Sequence, residues 1–258
     1  MLFLLSPAKT LDFDNPLPPL AHTLPRFLDS SARLVDVLRA RSPAQLARLM
    51  DISSPLATLN AERYRAWSPT FTEANSRQAV LAFAGDVYEG LQARKLSPAD
   101  LDWAQHHLRM LSGLYGVLRP LDRIQPYRLE MGTQLPVGRA RNLYEFWGDR
   151  IAESLNRDLA ADATPVVVNL ASQEYFRSVD LRALKARVIE CVFEDFKGSD
   201  FKVISFFAKK ARGLMARYAI QRRATLPHQL QAFDLEGYRF APDASTPERL
   251  VFRRKMQG

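Results

Sequence analysis

Cysteine is almost missing from this sequence: Cys191 stands alone among 258 residues. A single cysteine excludes an intramolecular disulfide and fits a reducing compartment. It lies in the apolar run VIECVF, so a core residue is expected there rather than a redox-sensing thiol, which needs exposure and a low pKa. Long apolar runs are missing as well. The opening MLFLL halts at Ser6-Pro7 and lacks a basic flank, too short for a signal peptide or a membrane span. No later stretch would cross a bilayer, and the expectation is a soluble cytoplasmic protein with no membrane partner. The four histidines (22, 106, 107 and 228) show no metal-ligand spacing, since adjacent His106 and His107 point to different helix faces. No metal or other cofactor is expected. Glycine-rich phosphate loops are also lacking: SPAKT offers Lys9 between two hydroxyls but is not a P-loop. No Ser–His–Asp or Cys–His arrangement emerges from spacing, so no catalytic residue is assigned.

Acids are absent where bases are dense. Residues 201–233 contain no Asp or Glu and carry seven cations: Lys202, Lys209, Lys210, Arg212, Arg217, Arg222 and Arg223. The centre of that segment, FAKKARGLMARYAIQRR, reads as an amphipathic helix with Phe207, Ala211, Leu214, Met215 and Tyr218 on one face. Lys209, Arg212 and Arg223 fall opposite that stripe, and Lys210 and Arg217 flank it. A solvated helix face ordinarily mixes signs to gain pairs four residues apart. Its all-basic character here points to an anionic partner. Gly213, costly inside a helix by roughly 1 kcal/mol, implies the close approach of something, a sugar-phosphate backbone or a neighbouring helix.

The formal net charge is +8, and 28 of the 36 basic residues are Arg, the side chain suited to bidentate phosphate contact, although a coding bias toward Arg gives the same ratio. A second basic stretch, LSGLYGVLRP at residues 111–120, places Gly113 and Gly116 three apart after a helical pattern, with Arg109, Arg119, Arg123 and Arg128 around them. Helix, glycine turn and second helix over residues 97–125 is the plan of a helix–hairpin–helix, whose free backbone N–H groups hold a DNA phosphate. A helix C-cap followed by a packed turn explains Gly113 equally well.

Elsewhere helical periodicity marks residues 24–41, 54–67, 97–111 and 143–159. Ser42-Pro43 and Ser97-Pro98 read as helix starts. Buried strands are expected at 2–5, 80–83, 166–170, 188–193 and 202–206. Stretches 16–19 and 135–141 read as loops rather than linkers. Irregular alternation of strands and helices favours a mixed α/β (α+β) fold, with residues 1–258 as a single domain of uncommon topology. Polar residues cluster just after strands: Lys9, then Asp86 and Tyr88 in AFAGDVYEGL, then Asn169, Ser172 and Glu174 in NLASQEYF. Carboxylates there suit an active site, though helix N-termini attract acids without catalysis.

SPAKTLDF, AFAGDVYEGL, RMLSGLYGVLRPLDRIQPYRLEMG, FWGD, NLASQEYF and FAKKARGLMARY, in that order over essentially the whole chain, resemble the YaaA family. Phe207 stands where a Tyr is common, and Gln173 where an acid or amide stands. The resemblance implies a bacterial cytoplasmic protein of the peroxide stress response that limits damage linked to free iron. It also implies double-stranded DNA binding, a positively charged cleft and a helix–hairpin–helix element, and supplies no catalytic residue. On this reading Lys209, Lys210, Arg212 and Arg217 contact phosphates from one wall and Arg109, Arg119, Arg123 and Arg128 from the other. Lys9 lies on the floor, and Gly113 and Gly116 offer backbone N–H groups. Little base-edge readout and strong salt dependence are expected, with no obligate protein partner. The rival is an enzyme acting on a nucleotide or other anionic small molecule at Lys9, Asp86, Tyr88, Asn169, Ser172 and Glu174. Direct iron sequestration is a weaker third reading.

Overall fold

The computed structural model describes residues 1–16 and 20–255. Its strands are β1 (Leu2–Leu5), β2 (Thr10–Leu11), β3 (Arg77–Gln78), β4 (Phe83–Ala84), β5 (Leu108–Ser112) and β6 (Gly116–Leu118). They continue with β7 (Arg123–Ile124), β8 (Val166–Leu170), β9 (Arg187–Lys197), β10 (Asp200–Lys202), β11 (Arg239–Phe240) and β12 (Arg249–Arg254). The helices are α1 (Leu28–Arg39), α2 (Pro43–Met50), α3 (Ser54–Ala66), α4 (Ala79–Ala82) and α5 (Asp86–Leu91). After them come α6 (Pro98–His107), α7 (Leu143–Trp147), α8 (Arg150–Asp158), α9 (Gln173–Phe176) and α10 (Ser205–Arg222).

The main sheet is mixed, in the order β11-β12-β9-β8-β1-β5-β6, with β10 folded back on β9. Its five central strands run parallel, and the added strands β6, β10 and β11 run antiparallel. Chemistry explains the centre: LFLL and VVVNL are buried at every position, as parallel strands covered on both faces require. Their register pairs Leu2 with Val167 and Leu5 with Leu170, so the two strands end together.

The strands expected at 2–5 and 166–170 have those bounds, and the run 188–193 lies inside the longer β9. Cys191 in β9 is a buried thiol whose pKa burial pushes up, so it is a core residue. Ser42 and Ser97 cap α2 and α6 through reciprocal bonds with Gln45 and Asp100.

Four expectations are corrected. The helix of 97–111 stops at His107, and residues 108–111 enter β5. Leu108 and Leu111 continue a helical stripe in sequence, but an apolar run buried beside β1 is equally a central strand. The helix of 143–159 breaks into α7 and α8 at Gly148, whose φ of +53° is left-handed. Residues 80–82 belong to the one-turn helix α4, and only Phe83 of the expected strand is in β4. Residues 202–206 leave β10 at Lys202 and enter α10 at Ser205. The loop expected at 16–19 falls largely on residues 17–19, outside those described.

The turn GLYG also differs from expectation. It joins β5 to β6, an antiparallel hairpin in which Ser112 pairs with Gly116, and not two helices. A tight helix–turn–helix sits elsewhere: α2 and α3 are joined by Asp51, Ile52 and Ser53, with Asp51 left-handed at φ 50° and the Ile52 N–H donating to the Ala47 carbonyl.

Candidate functional site

The chain leaves β1 and passes to β5 on one side of the sheet, whereas it leaves β8 and passes to β9 on the other. Loops from such neighbouring strands diverge, and the crevice beyond their carboxyl ends is where α/β sheets hold ligands. A pocket of about 470 Å³ opens there. Residues 6–10 after β1 and Ser172 after β8 line it, together with residues 84–88, Glu130, Glu174, Tyr175, and Lys209 and Arg212 of α10.

Hydrogen bonds fix the two strand-exit loops to each other. The Ser172 N–H donates to Ser6 Oγ at 2.9 Å, and the Tyr88 hydroxyl donates to the Ser6 carbonyl at 3.0 Å. Burial raises the Tyr88 pKa well above that of a free phenol, so its hydroxyl stays protonated as a donor. Gly85 precedes α5 with φ +140°, a conformation that only glycine adopts readily, and this aims Asp86 into the pocket. Glu174 accepts the Gly132 N–H on Oε1 at 2.9 Å. Glu130 bridges Lys9 (3.0 Å) and Arg128 (3.0 Å).

Helix α10 reaches the pocket because it packs on α5 with almost no gap. A Cβ on Gly213 would lie 1.8 Å from the Val87 carbonyl, and one on Gly90 would lie 2.2 Å from the Lys210 carbonyl. Gly213 therefore serves a neighbouring helix. The helix is not the expected one-sided amphipath: Ala208, Ala216, Ala219 and Ile220 are buried along with Ala211, Leu214, Met215 and Tyr218. Its cations are consequently dispersed. Lys209 lies 4.0 Å from Asp86 at the pocket, Lys210 pairs with Glu236 at 2.7 Å, and Arg223 pairs with Asp100 at 2.9 Å. Arg217 is half-buried and outside the pocket lining. Arg212, half-buried in the lining, has no hydrogen bond or ion pair among the described residues. Burial pulls its pKa down, offset by the more distant charge of Glu190.

The second basic group sits in carboxylate ties. Arg109 is buried against Asp158 at 2.8 Å, and Arg26 grips the same carboxylate at 2.6 Å. Arg119 pairs with the fully buried Asp122 at 2.8 Å, Arg123 with Glu73 at 3.3 Å, and Arg128 with Glu130. Gly113 and Gly116 are themselves buried: a Cβ would meet the Leu129 carbonyl at 2.2 Å and the Trp147 ring at 2.8 Å. The Tyr115 N–H in the turn donates to Ser112 Oγ. These glycines answer to packing and present no open cradle of amides.

The pocket thus brings together Lys9, Asp86, Tyr88, Ser172, Glu174, Lys209 and Arg212. Asn169 is not among its lining residues; its Oδ1 accepts the Ala171 N–H and shapes the β8 exit. Sequence reasoning missed Ser6 and Glu130. Ser6 follows directly from the strand β1 that the sequence marks, whereas Glu130 carries no local signal beyond its place near Arg128.

A family model described as "Peroxide stress protein YaaA" matches residues 1–244. The chain belongs to this family. It is 70% identical over 259 residues to a UPF0246 protein of Paracidovorax citrulli, covering all of both chains. A UPF0246 protein of Verminephrobacter eiseniae is 65% identical over 256 residues, covering 99% of this chain and 98% of the relative. One from Delftia acidovorans is 65% identical over 258 residues, covering 99% of each. The YaaA match takes in every pocket residue and the α2–α3 hairpin and stops before β12. Among the described residues no helix is long and apolar enough to cross a membrane.

Proposed function

We propose that this member of the peroxide stress family acts in the cytoplasm by binding double-stranded DNA with little sequence preference, and so limits iron-dependent oxidative damage. The observation that supports this reading is the α2–α3 hairpin. Its three-residue turn is exposed or half-exposed, and α3 follows the N-cap Ser53 with no side-chain cap on its first-turn amides, to which Pro55 contributes none. Uncapped N–H groups at the second helix of such a hairpin suit a phosphate oxygen. Residues 39–67 contain five arginines (39, 41, 48, 63 and 65) against two acids, Asp51 and Glu62, and Arg48 and Arg65 are exposed. The net charge of +8 adds a long-range attraction for polyanions.

The test is fluorescence anisotropy with a labelled duplex of about 30 base pairs across roughly 50 to 200 mM salt, where lost phosphate contacts flatten the dependence by about one unit of slope each. Binding that weakens steeply with salt, with a slope shallower by about 2 for Arg48→Ala/Arg65→Ala, is the expected result. Absent or salt-insensitive binding overturns the reading.

A second reading is favoured by the convergence of five chain segments on one pocket with an unpaired Arg212: the pocket takes an anionic small molecule, as ligand or substrate. Differential scanning fluorimetry with inorganic phosphate tests it. A rise in the unfolding midpoint that Lys209→Ala abolishes supports the anion site, and the absence of any rise removes it.

A further inference from the structure

Arg212 has no counterpart elsewhere in the pocket. Lys9 has Glu130 at 3.0 Å and Lys209 has Asp86 at 4.0 Å, but no carboxylate lies within ion-pair distance of Arg212 among the described residues. An arginine drawn partly out of water into a pocket without a partner costs stability unless something else compensates the charge. Substituting an apolar residue of similar length would be the cheaper solution for packing alone. The retained charge is explained by an anion that arrives from solvent, and a guanidinium beside an ammonium matches a phosphate.

The pocket also holds what a bare phosphate does not need. Asp86, Glu130 and Glu174 contribute three carboxylates to the same lining. Glu130 is spent on Lys9 and Arg128, and Glu174 gives one oxygen to Gly132, which leaves its Oε2 without a hydrogen bond among the described residues. The Asp86 carboxylate is likewise without one, since its Lys209 neighbour at 4.0 Å is beyond hydrogen-bond distance. Carboxylates repel a second phosphate but accept hydrogen bonds from hydroxyls. A ligand that satisfies both halves has one phosphate and several hydroxyl groups. About 470 Å³ lies within the usual range for small-molecule sites and admits a single sugar or nucleoside.

We infer that this pocket binds a phosphate monoester of a polyhydroxyl compound, the chemistry shared by pentose phosphates and nucleoside 5′-monophosphates. Arg212 and Lys209 hold the phosphate, and Glu174 and Asp86 accept from the hydroxyls. The inference rests on the reading of the pocket as an anion site and is independent of DNA binding at the α2–α3 hairpin.

Isothermal titration calorimetry of the full chain tests it with four probes: ribose 5-phosphate, adenosine 5′-monophosphate, ribose and inorganic phosphate. At least one ester is expected to bind on the order of tenfold or more tighter than either inorganic phosphate or ribose, the worth of a charge-assisted hydrogen bond. The tighter of the two esters identifies the source. Glu174→Gln keeps an acceptor for Gly132 and is expected to weaken the ester without weakening inorganic phosphate, which loses a nearby like charge. Arg212→Met is expected to lose the phosphate contribution and to raise the unfolding midpoint of the unliganded protein, the opposite of what loss of a structural arginine does. If inorganic phosphate binds as tightly as the esters, the polyol inference fails and the anion site stands. If none of the four binds, both fail. If Arg212→Met unfolds more easily and binds the ester normally, Arg212 is structural and the assignment falls.

Discussion

Two basic stretches look alike in the sequence and behave differently in the fold. Around the β5–β6 hairpin, Arg109, Arg119, Arg123 and Arg128 each meet a carboxylate, Asp122 fully buried and Asp158 mostly so. In α10, at the pocket, Arg212 is half-buried with no carboxylate within ion-pair distance among the described residues. The difference teaches how to separate scaffold from site when cations are plentiful. A paired buried arginine satisfies the chain's own acids, whereas an unpaired one leaves a charge for a ligand to satisfy. Both stretches carry glycines that suggest a phosphate cradle, and in both the glycine is filled by protein: Leu129 and Trp147 in the hairpin, and α5 in the helix.

The largest effect that sharpens this comparison lies at the α5–α10 crossing. Gly213→Ala places a methyl carbon where only 1.8 Å separates it from the Val87 carbonyl, which is backbone and cannot rotate away. Overpacking of this kind costs about 3 kcal/mol or more. Urea unfolding is expected to show that loss, together with loss of ligand binding at the pocket, because α10 positions Lys209 and Arg212. A change below about 1 kcal/mol would mean that the helices part easily, and would weaken the claim that their contact builds the site.

Next in size is Arg109→Ala. It removes one of two guanidinium partners of Asp158 and leaves a mostly buried carboxylate held by Arg26 alone. Breaking a buried pair costs about 3–5 kcal/mol, and the surviving Arg26 contact places this variant near the lower end. The same unfolding curves on Arg212→Met are expected to move the other way. If both variants destabilise equally, the distinction between paired and unpaired arginines does not hold in this protein.

Much of the fold was legible because some residues admit one reading. LFLL and VVVNL fit only buried strands, and Ser-Pro before a helical pattern fits only a helix start. The polar residues after those strands, Lys9 and Ser172, with Asp86 and Glu174, were legible as a site for the same reason, since strand ends face the crevice. What stayed hidden depended on neighbours. Leu108 and Leu111 satisfy a period of 3.6 and a buried strand alike, and only β1 decides between them. The helical wheel put Lys209, Arg212 and Arg223 on one open face, but alanines at 208, 216 and 219 let other elements pack around α10, and those three cations ended in different surroundings. The helical hairpin was sought at glycines, whereas α2 turns into α3 through Asp51, an acid that tolerates the left-handed conformation.

The smallest expected effect is the response to acid, and it compares the two stretches without disturbing either backbone. Burial alone would raise the Asp158 pKa, but hydrogen bonds from Arg26 and Arg109 bring it below the ordinary carboxylate value. Asp12 behaves alike: burial is outweighed by bonds from Asn15 and Arg94, and its pKa falls to about 2. Unfolded aspartates titrate near 3.9, so between about pH 4 and 2 the unfolded chain binds more protons than the folded one. Stability from these ties is therefore complete above about pH 4 and declines as pH falls toward 2. Urea midpoints measured across that window are expected to drop for the wild type and to drop less steeply for Asp158→Asn, whose contribution no longer titrates. Arg212→Met is expected to run parallel to the wild type, because no carboxylate of the chain is tied to that guanidinium. An altered slope in Arg212→Met would mean that Arg212 does answer to an acid of the fold, and the contrast between the two stretches would close.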